Sequence, residues 1–467
     1  MRARGPAGRN RSPDNEVGGP PVIRHRRRLL RAAAVLAATG LALAGCGSDS
    51  GSGSGASANQ SGNDVQAALS AGGTITVWAW EPTLKQVVAD FRAKYPKVTV
   101  KLVNAGTGND QYKALQNAIS AGSGVPDVAQ IEYYALPQFA LAKSVTDLGP
   151  LGAGSLDGTF SPGPWASVHA ADGVFGLPMD SGPMALFYNK DVFDKYKIAV
   201  PTTWAEYAAA ARKLHAADPK AYITNDVGDA GFTTSMIWQA GGKPYQVDGT
   251  KVTVNLADAG TTKFTSMWQG LVSDHLVAPI TSWSDEWYQG LGNGDIATLV
   301  IGAWMPANLE SGVKAGSGKW RVADMPQWDA GAAVTSENGG SSLAVPAATG
   351  NKTLAYAFAQ YATTGAGAKA RIDAGAFPAT TADLTSPAFV DKKFPYFGGQ
   401  QVNQVLSKSA KDVAPGWSYL PFQVYANSIF NDTVGKAYVS GTTLQDGLAT
   451  WQNELVKYGN DQGFKVN

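Results

Sequence analysis

Thirteen Trp and seventeen Tyr are many for a chain of 467 residues, and several Trp fall at loops or strand ends rather than inside periodic apolar runs. Trp80, Trp238, Trp283, Trp287, Trp304 and Trp417 are these candidates. An indole offers a flat apolar face, and a pyranose has a C–H face that stacks on it and rim hydroxyls that need polar partners. Glu81, Glu132 and Asp180 stand where strands end or the chain turns, so their carboxylates could accept such hydroxyls. Asp285 and Glu286 lie between two indoles in Trp283-Ser284-Asp285-Glu286-Trp287, and Gly340, in Gly339-Gly340-Ser341, lets backbone N–H groups come close because glycine has no Cβ. The chemistry this set supports is noncovalent capture of a hydroxylated ring. Each member also has an ordinary reading: Trp packs in cores, a loop acid is a solvated charge or a cap, and Trp283 to Trp287 opens a helix through Tyr288 and Leu291.

Other chemistries find little footing. His25, His169, His215 and His275 are far apart and lack metal-ligand spacing, and there is no G-x-S-x-G, H-E-x-x-H, Walker loop or G-x-G-x-x-G after a strand. No catalytic residue, metal or cofactor is expected, and the protein is read as a binder rather than an enzyme. The alternative is a secreted, lipid-anchored glycoside hydrolase that pairs Glu81 with Glu132 or Asp180. Nine Arg against Asp14 and Glu16 place +7 in the first 45 residues of a chain whose formal charge is +1, so the remainder carries about −6. A mildly acidic domain has no basic patch for nucleic acid. One Cys allows no intrachain disulfide.

The elements that must position these residues follow from periodicity. Thr74 to Trp80 reads as a buried strand, Leu84, Val87, Val88, Phe91 and Tyr95 as a helix face ended by Pro96, Val98 to Val103 as a second strand, Tyr112, Leu115 and Ile119 as a second helix face, and Asp127 to Glu132 as a third strand. That alternation implies an α/β fold with a parallel sheet, whose ligands sit beyond the carboxyl ends of the strands. Trp78 is expected in the packed face, opposite Trp80. Thr203 and Glu206 form a capping box, and Ile296 to Ile301 is an apolar strand running into Gly302-Ala303-Trp304. Residues 47 to 72, rich in Gly, Ser, Ala, Asn and Gln, read as a solvated coil, with folding beginning near Gly73.

The leader resembles a bacterial lipoprotein signal: Arg24, Arg26, Arg27, Arg28 and Arg31, then apolar Ala32 to Ala44, then Leu43-Ala44-Gly45-Cys46. The resemblance implies cleavage before Cys46, a lipid on its thiol, and anchorage on the outer face of the cell membrane. Export by the general or the twin-arginine route is left open, since Arg26-Arg27 follows His25 rather than Ser or Thr.

Val174 to Asp180, then Ala185-Leu186-Phe187-Tyr188-Asn189-Lys190-Asp191-Val192-Phe193, then Pro201 to Glu206 resemble the central signature of family 1 extracellular solute-binding proteins, the sugar-capture components of ABC importers. Gly294 to Leu299, Gly302-Ala303-Trp304, Met325-Pro326, Gly339 to Val345 and Leu354 to Ala359 agree in order and spacing. The resemblance implies a two-lobed periplasmic-binding-protein-like (type II) fold with a hinge and an interlobe cleft. It further implies a carbohydrate ligand, most simply an oligosaccharide, passed on to the permease subunits of an ABC transporter, and a cleft-facing stacking role for Trp304. The protein is expected to act as a monomer.

The expected organisation is a signal peptide over 1–45, a lipidated Cys and linker over 46–72, lobe I from 73–182 plus 337–395, and lobe II from 183–336 plus 396–467. Crossings are expected near Asp180 to Pro183 and Ser336 to Gly340, with a third unplaced. Maltose-type members carry a carboxylate close behind the first crossing, where this chain has Gly182 and Asp180 stands nearby.

Overall fold

The computed structural model describes residues 54–170 and 173–467, with side chains from residue 62 onward. Cys46, the leader and the remainder of residues 1–53 lie outside the described residues.

In chain order the elements used below begin with α1 (Ser54–Ala71), β1 (Gly73–Trp78), α2 (Leu84–Lys94), β2 (Val98–Val103), α3 (Asn109–Ala121), β3 (Val128–Glu132), β4 (Leu177–Pro178), β5 (Met184–Asn189) and α4 (Trp204–Ala217). They continue with β6 (Thr224–Asn225), α5 (Ala230–Gln239), β7 (Val277–Ala278), α6 (Asp285–Asn293), β8 (Thr298–Gly302), α7 (Met305–Gly312) and β9 (Trp320–Ala323). The last are β10 (Ser341–Ala344), α8 (Lys352–Thr363), α9 (Gly365–Asp373), α10 (Val402–Lys411) and α11 (Leu444–Asp461).

β-Branched runs make the first-lobe sheet. Its order is β2-β1-β3-β10-β4, with β1 parallel to β2 and β3, and β10 antiparallel to β3 and β4. Ile75, Val77, Val100, Val128 and Ile131 are buried against Leu84, Val87 and Phe91 of α2 and Phe358 of α8, as parallel strands covered by helices require. The register Gly73↔Val98 to Trp78↔Val103 brings the ends of β1 and β2 level, so Trp80 and Glu81 emerge beyond one edge of the sheet.

The second lobe is built on β8-β5-β9, antiparallel throughout, with β5 in the middle. Successive side chains of a strand point to opposite faces. Accordingly Met184 and Leu186 enter one cluster with Trp204, Trp268 and Trp451, while Ala185 and Phe187 enter another with Trp287, Trp320 and Phe397. The capping box at Thr203 forms: its side chain accepts from the Glu206 N–H at 3.2 Å, and Glu206 accepts from the Thr203 N–H at 3.3 Å.

Three expectations change. The stretch read as coil up to residue 72 contains α1, whose Val65 and Leu69 are buried in the first-lobe core and whose Ala68 packs beside them. The i, i+3, i+4 spacing of these three was hidden by the polar composition around them. Within residues 377–395, assigned to lobe I from the sequence, Phe377, Leu384 and Phe389 share the second-lobe cluster of Phe187 and Trp320, while Ala379 and Thr381 are hydrogen-bonded through the backbone to Ser161 and Thr159. Ala370 packs on the first-lobe cluster and Ile372 on a second-lobe one, so this stretch touches both lobes. Trp78 and Trp80, two residues apart, lie on the same side, and both are half-buried.

Backbone pairing joins the two segments read from the sequence as crossings. Pro183 bridges Glu337 in antiparallel fashion, and the Asn338 N–H donates to the Gly182 carbonyl at 2.8 Å. A Cβ on Gly182 would collide with the Asn338 carbonyl, so the position expected to carry a carboxylate in maltose-type relatives is closed to any side chain here.

Candidate functional site

The crossings carry acids. Asp180 Oδ1 accepts from the Ser341 N–H at 2.6 Å, which ties the end of the first crossing to the start of β10. The Tyr133 hydroxyl donates to the Asp180 carbonyl at 2.6 Å. Glu337, 2 % exposed, accepts from the Ser181 hydroxyl at 2.8 Å. At the end of β3, Glu132 Oε2 accepts from the Tyr112 hydroxyl at 3.0 Å, and that hydroxyl in turn accepts from the Glu132 N–H at 2.9 Å.

Burial dominates the titration of this group. It pushes Glu132 and Glu337 up to about 7 and Asp180 up to about 6. Donation by Tyr112 and Tyr134 to Glu132, and by Ser181 to Glu337, works against the rise, and the neighbouring Asp180 charge adds to it in both. For Asp180 the buried Arg371 lowers and Glu81 raises. From the second lobe, Tyr419 packs against first-lobe residues, and burial together with the Glu337 and Glu132 charges raises its hydroxyl well above the ordinary range.

Aromatic side chains group on each lobe. On the first lobe, Trp80 meets Tyr112 edge to face at 6.2 Å, and Tyr112 meets Tyr134 at 6.2 Å. On the second lobe, Trp283 lies 5.7 Å from Trp304 at 31° and 4.9 Å from Trp287. Trp304, half-buried at the head of α7, donates its Nε1–H to the Asn338 carbonyl on the crossing at 2.7 Å. This indole lies against Gly302 and Gly339, where a Cβ would come within 3.0 Å of the ring.

The residues singled out from the sequence divide by what they touch. Trp80, Glu132, Asp180 and Gly340 gather around the crossings, as does Glu81, whose N–H, like that of Trp80, donates to Gln130 Oε1. Glu81 Oε1 accepts from the Thr83 hydroxyl at 2.7 Å. Gly340 has φ +100°, and a Cβ there would sit 2.5 Å from the Tyr133 ring, so its lack of a side chain is demanded by that close approach. Trp304 and Trp283 pack together on the second lobe.

Trp238, expected to face a ligand, is a packing residue. It is 7 % exposed, stacks on Trp417 at 5.1 Å and 6°, and donates its Nε1–H to the Ala414 carbonyl at 2.7 Å. Trp417 is half-buried, with one face covered by Trp238 and its edges against Tyr245 and Tyr419. Asp285 is exposed in the first turn of α6, where Ser284 accepts from the Trp287 N–H at 3.2 Å, so the helix-start reading of the Trp-Ser-Asp-Glu-Trp cluster holds.

Tyr112, Glu337, Asn338 and Tyr419 were missed as site residues. Glu337 and Asn338 immediately precede the Gly-Gly pair and could have been found from that adjacency. Tyr419 offers no sequence signal, because the carboxylates that face it, Glu337 and Glu132, are more than eighty residues away.

Residues 78–369 match the family model described as bacterial extracellular solute-binding protein. Among solved structures, the ABC-transporter-associated binding protein of B. animalis subsp. lactis Bl-04, in complex with beta-1,6-galactobiose, is 44% identical. It superposes with a TM-score of 0.78 over 84% of this chain and 99% of that one. The galacto-N-biose/lacto-N-biose I-binding protein of Bifidobacterium longum is 26% identical, with a TM-score of 0.75 over 85% of this chain and 99% of that one. The lactose-binding protein of Rhizobium radiobacter is 26% identical over 306 residues, 61% of this chain and 69% of that one. Two α/β lobes joined at acid-bearing crossings, and a family model spanning both, lead to one assignment: the chain belongs to the bacterial extracellular solute-binding proteins.

Proposed function

We propose that the protein captures an oligosaccharide between its lobes and delivers it, unaltered, to the permease of an ABC importer. The observation that carries this reading is the pairing of an indole wall, Trp283 and Trp304, with carboxylates at the crossings, Glu132, Asp180 and Glu337. Sugar C–H faces stack on the first, and sugar hydroxyls donate to the second. Closing two lobes on a ligand gains contacts from both only when the cleft is filled, so a permease can distinguish the loaded shape. The name of the 44% identical relative supports a β-linked galactodisaccharide or its longer homologues as the class to test.

The test is a melting-temperature panel of mono- and oligosaccharides that includes β-1,6-galactobiose and lactose. Ligand at a hundred times Kd stabilises by about 2.7 kcal/mol, a readily measured rise. The sugars should be recovered intact. A second reading, glycoside hydrolysis, draws on the raised carboxylates Glu132 and Asp180, since a general acid needs such a shift. Release of monosaccharide by the purified chain would establish it and end the receptor reading.

The same proposal places a lipid on Cys46 and a monomeric domain tethered at the outer face of the membrane. Cys46→Ser is expected to move the protein from the membrane fraction to the medium, measured by immunoblot, with saccharide binding unchanged. Retention of the variant in the membrane would remove the lipid anchor.

A further inference from the structure

Trp283 stands in a backbone conformation that a tryptophan rarely adopts. Its φ is +70°, in the left-handed region, and the residue is 47 % exposed. It occupies the third position of the turn Thr281-Ser282-Trp283-Ser284, closed by the Ser284 N–H to the Thr281 carbonyl at 3.4 Å. Glycine or asparagine is the usual residue where such a turn needs positive φ. The turn is held from both ends: Asn225 Nδ2 donates to the Ile280 carbonyl at 2.9 Å and to Ser282 Oγ at 3.0 Å, and the Ser284 hydroxyl donates to the Thr281 carbonyl at 2.8 Å. Backbone strain that the surroundings over-determine in this way gathers at ligand sites.

The strain has a result. It sets a large exposed indole 5.7 Å from Trp304, at 31°, and so extends the second-lobe wall outward from the crossing to which Trp304 is hydrogen-bonded. Trp283 touches both buried Trp287 and half-buried Trp304, and it is the most exposed of the three. A small monosaccharide held at Trp304 and the crossings has no need of the outer indole. A longer chain, whose next ring leaves the cleft floor, does.

We propose that Trp283 is an outer subsite for a further sugar ring of a bound oligosaccharide and thereby sets the protein's preference for chain length. This rests on the reading that the cleft takes a carbohydrate. Stacking on an indole face is tolerant of ring identity, so the outer subsite selects length more than sugar type.

Isothermal titration of the purified soluble domain with β-1,6-galactobiose and β-1,6-galactotriose tests it. The unaltered chain should bind the triose at least fivefold more tightly than the biose. Trp283→Ala should cost the triose at least fivefold more affinity than it costs the biose, bringing the two sugars to within twofold of each other. Trp283→Tyr should restore part of the triose preference. Trp283→Gly should bind like the alanine variant and melt higher than it, because glycine accepts positive φ without strain.

Equal loss of both sugars in Trp283→Ala, or loss of neither, overturns the outer subsite while the carbohydrate reading stands. A glycine variant that melts no higher than the alanine variant removes the strain on which the argument rests. An unaltered chain that takes neither sugar, nor any other member of the saccharide panel, ends the carbohydrate reading, and the outer subsite falls with it.

Discussion

Trp304→Ala is expected to weaken saccharide binding by about a hundredfold, or about 2.7 kcal/mol, the scale of an aromatic hot spot at the centre of a binding surface. Two losses combine. The stacking face goes, and the Asn338 carbonyl on the crossing loses the indole N–H that it accepts at 2.7 Å. Trp304→Phe separates them, since it keeps an aromatic face and removes the donor. It should lie between the parent and the alanine variant, the missing hydrogen bond accounting for about 1 kcal/mol. Calorimetric titration with the best ligand of the panel measures both variants, and the melting temperature of the empty proteins checks that the fold survives. Alanine at this position with affinity within threefold of the parent would take Trp304 out of the site and leave the second-lobe wall without its anchor.

The protein is expected to be more stable against unfolding at pH 5 than at pH 8, and Glu337→Gln should remove roughly a quarter of the difference, its share among four similarly raised carboxylates. Glu337 is buried at a crossing, accepts one hydrogen bond from Ser181, and faces the Asp180 charge; burial pushes it from 4.5 up to about 7. Glu132 is pushed to about 7, and Asp180 and Asp226 to about 6, by the same cause. The groups around Glu337 are Asp180 and Ser181 on the adjoining crossing, Tyr133 beyond β3, Tyr419 from the second lobe, and Arg371 from α9 behind Asp180.

Raised carboxylates bind protons more tightly in the folded chain than in the unfolded one. Their contribution is therefore complete below the unfolded value near 4.5 and is lost as pH climbs through about 7. For Glu337 alone the shift corresponds to about 3 kcal/mol by pH 8. A glutamine carries no charge to desolvate and can still accept from Ser181. Urea unfolding at the two pH values should find Glu337→Gln close to the parent at pH 5 and more stable by about 2–3 kcal/mol at pH 8. An unchanged pH difference in the variant would place the proton elsewhere.

Much of the framework was legible because it is local. Thr74 to Trp78 and Val98 to Val103 announce strands by side-chain type, and Thr203 with Glu206 announces a helix start by spacing. Where composition outweighed period the reading failed, as at α1, whose Val65, Ala68 and Leu69 stand in a run of Ser, Gly, Asn and Gln. The packing of the segment after α9 was not legible for a related reason. Phe377, Leu384 and Phe389 are apolar in either lobe, and their partners Phe187 and Trp320 are remote in the chain.

The candidate site divides in the same way. The sequence by itself determined that indoles and carboxylates stand at strand ends and beside a Gly-Gly turn, since these are facts of residue type and adjacency. The tertiary structure decided which of them share a space. It stacked Trp238 on Trp417 and withdrew it into packing, turned Asp285 outward on a helix start, raised Trp283 beside Trp304, and brought Glu337 and Tyr419 together across the crossings. The physical reason is that burial and pairing depend on contacts between residues scores to hundreds of positions apart, and no local periodicity records them.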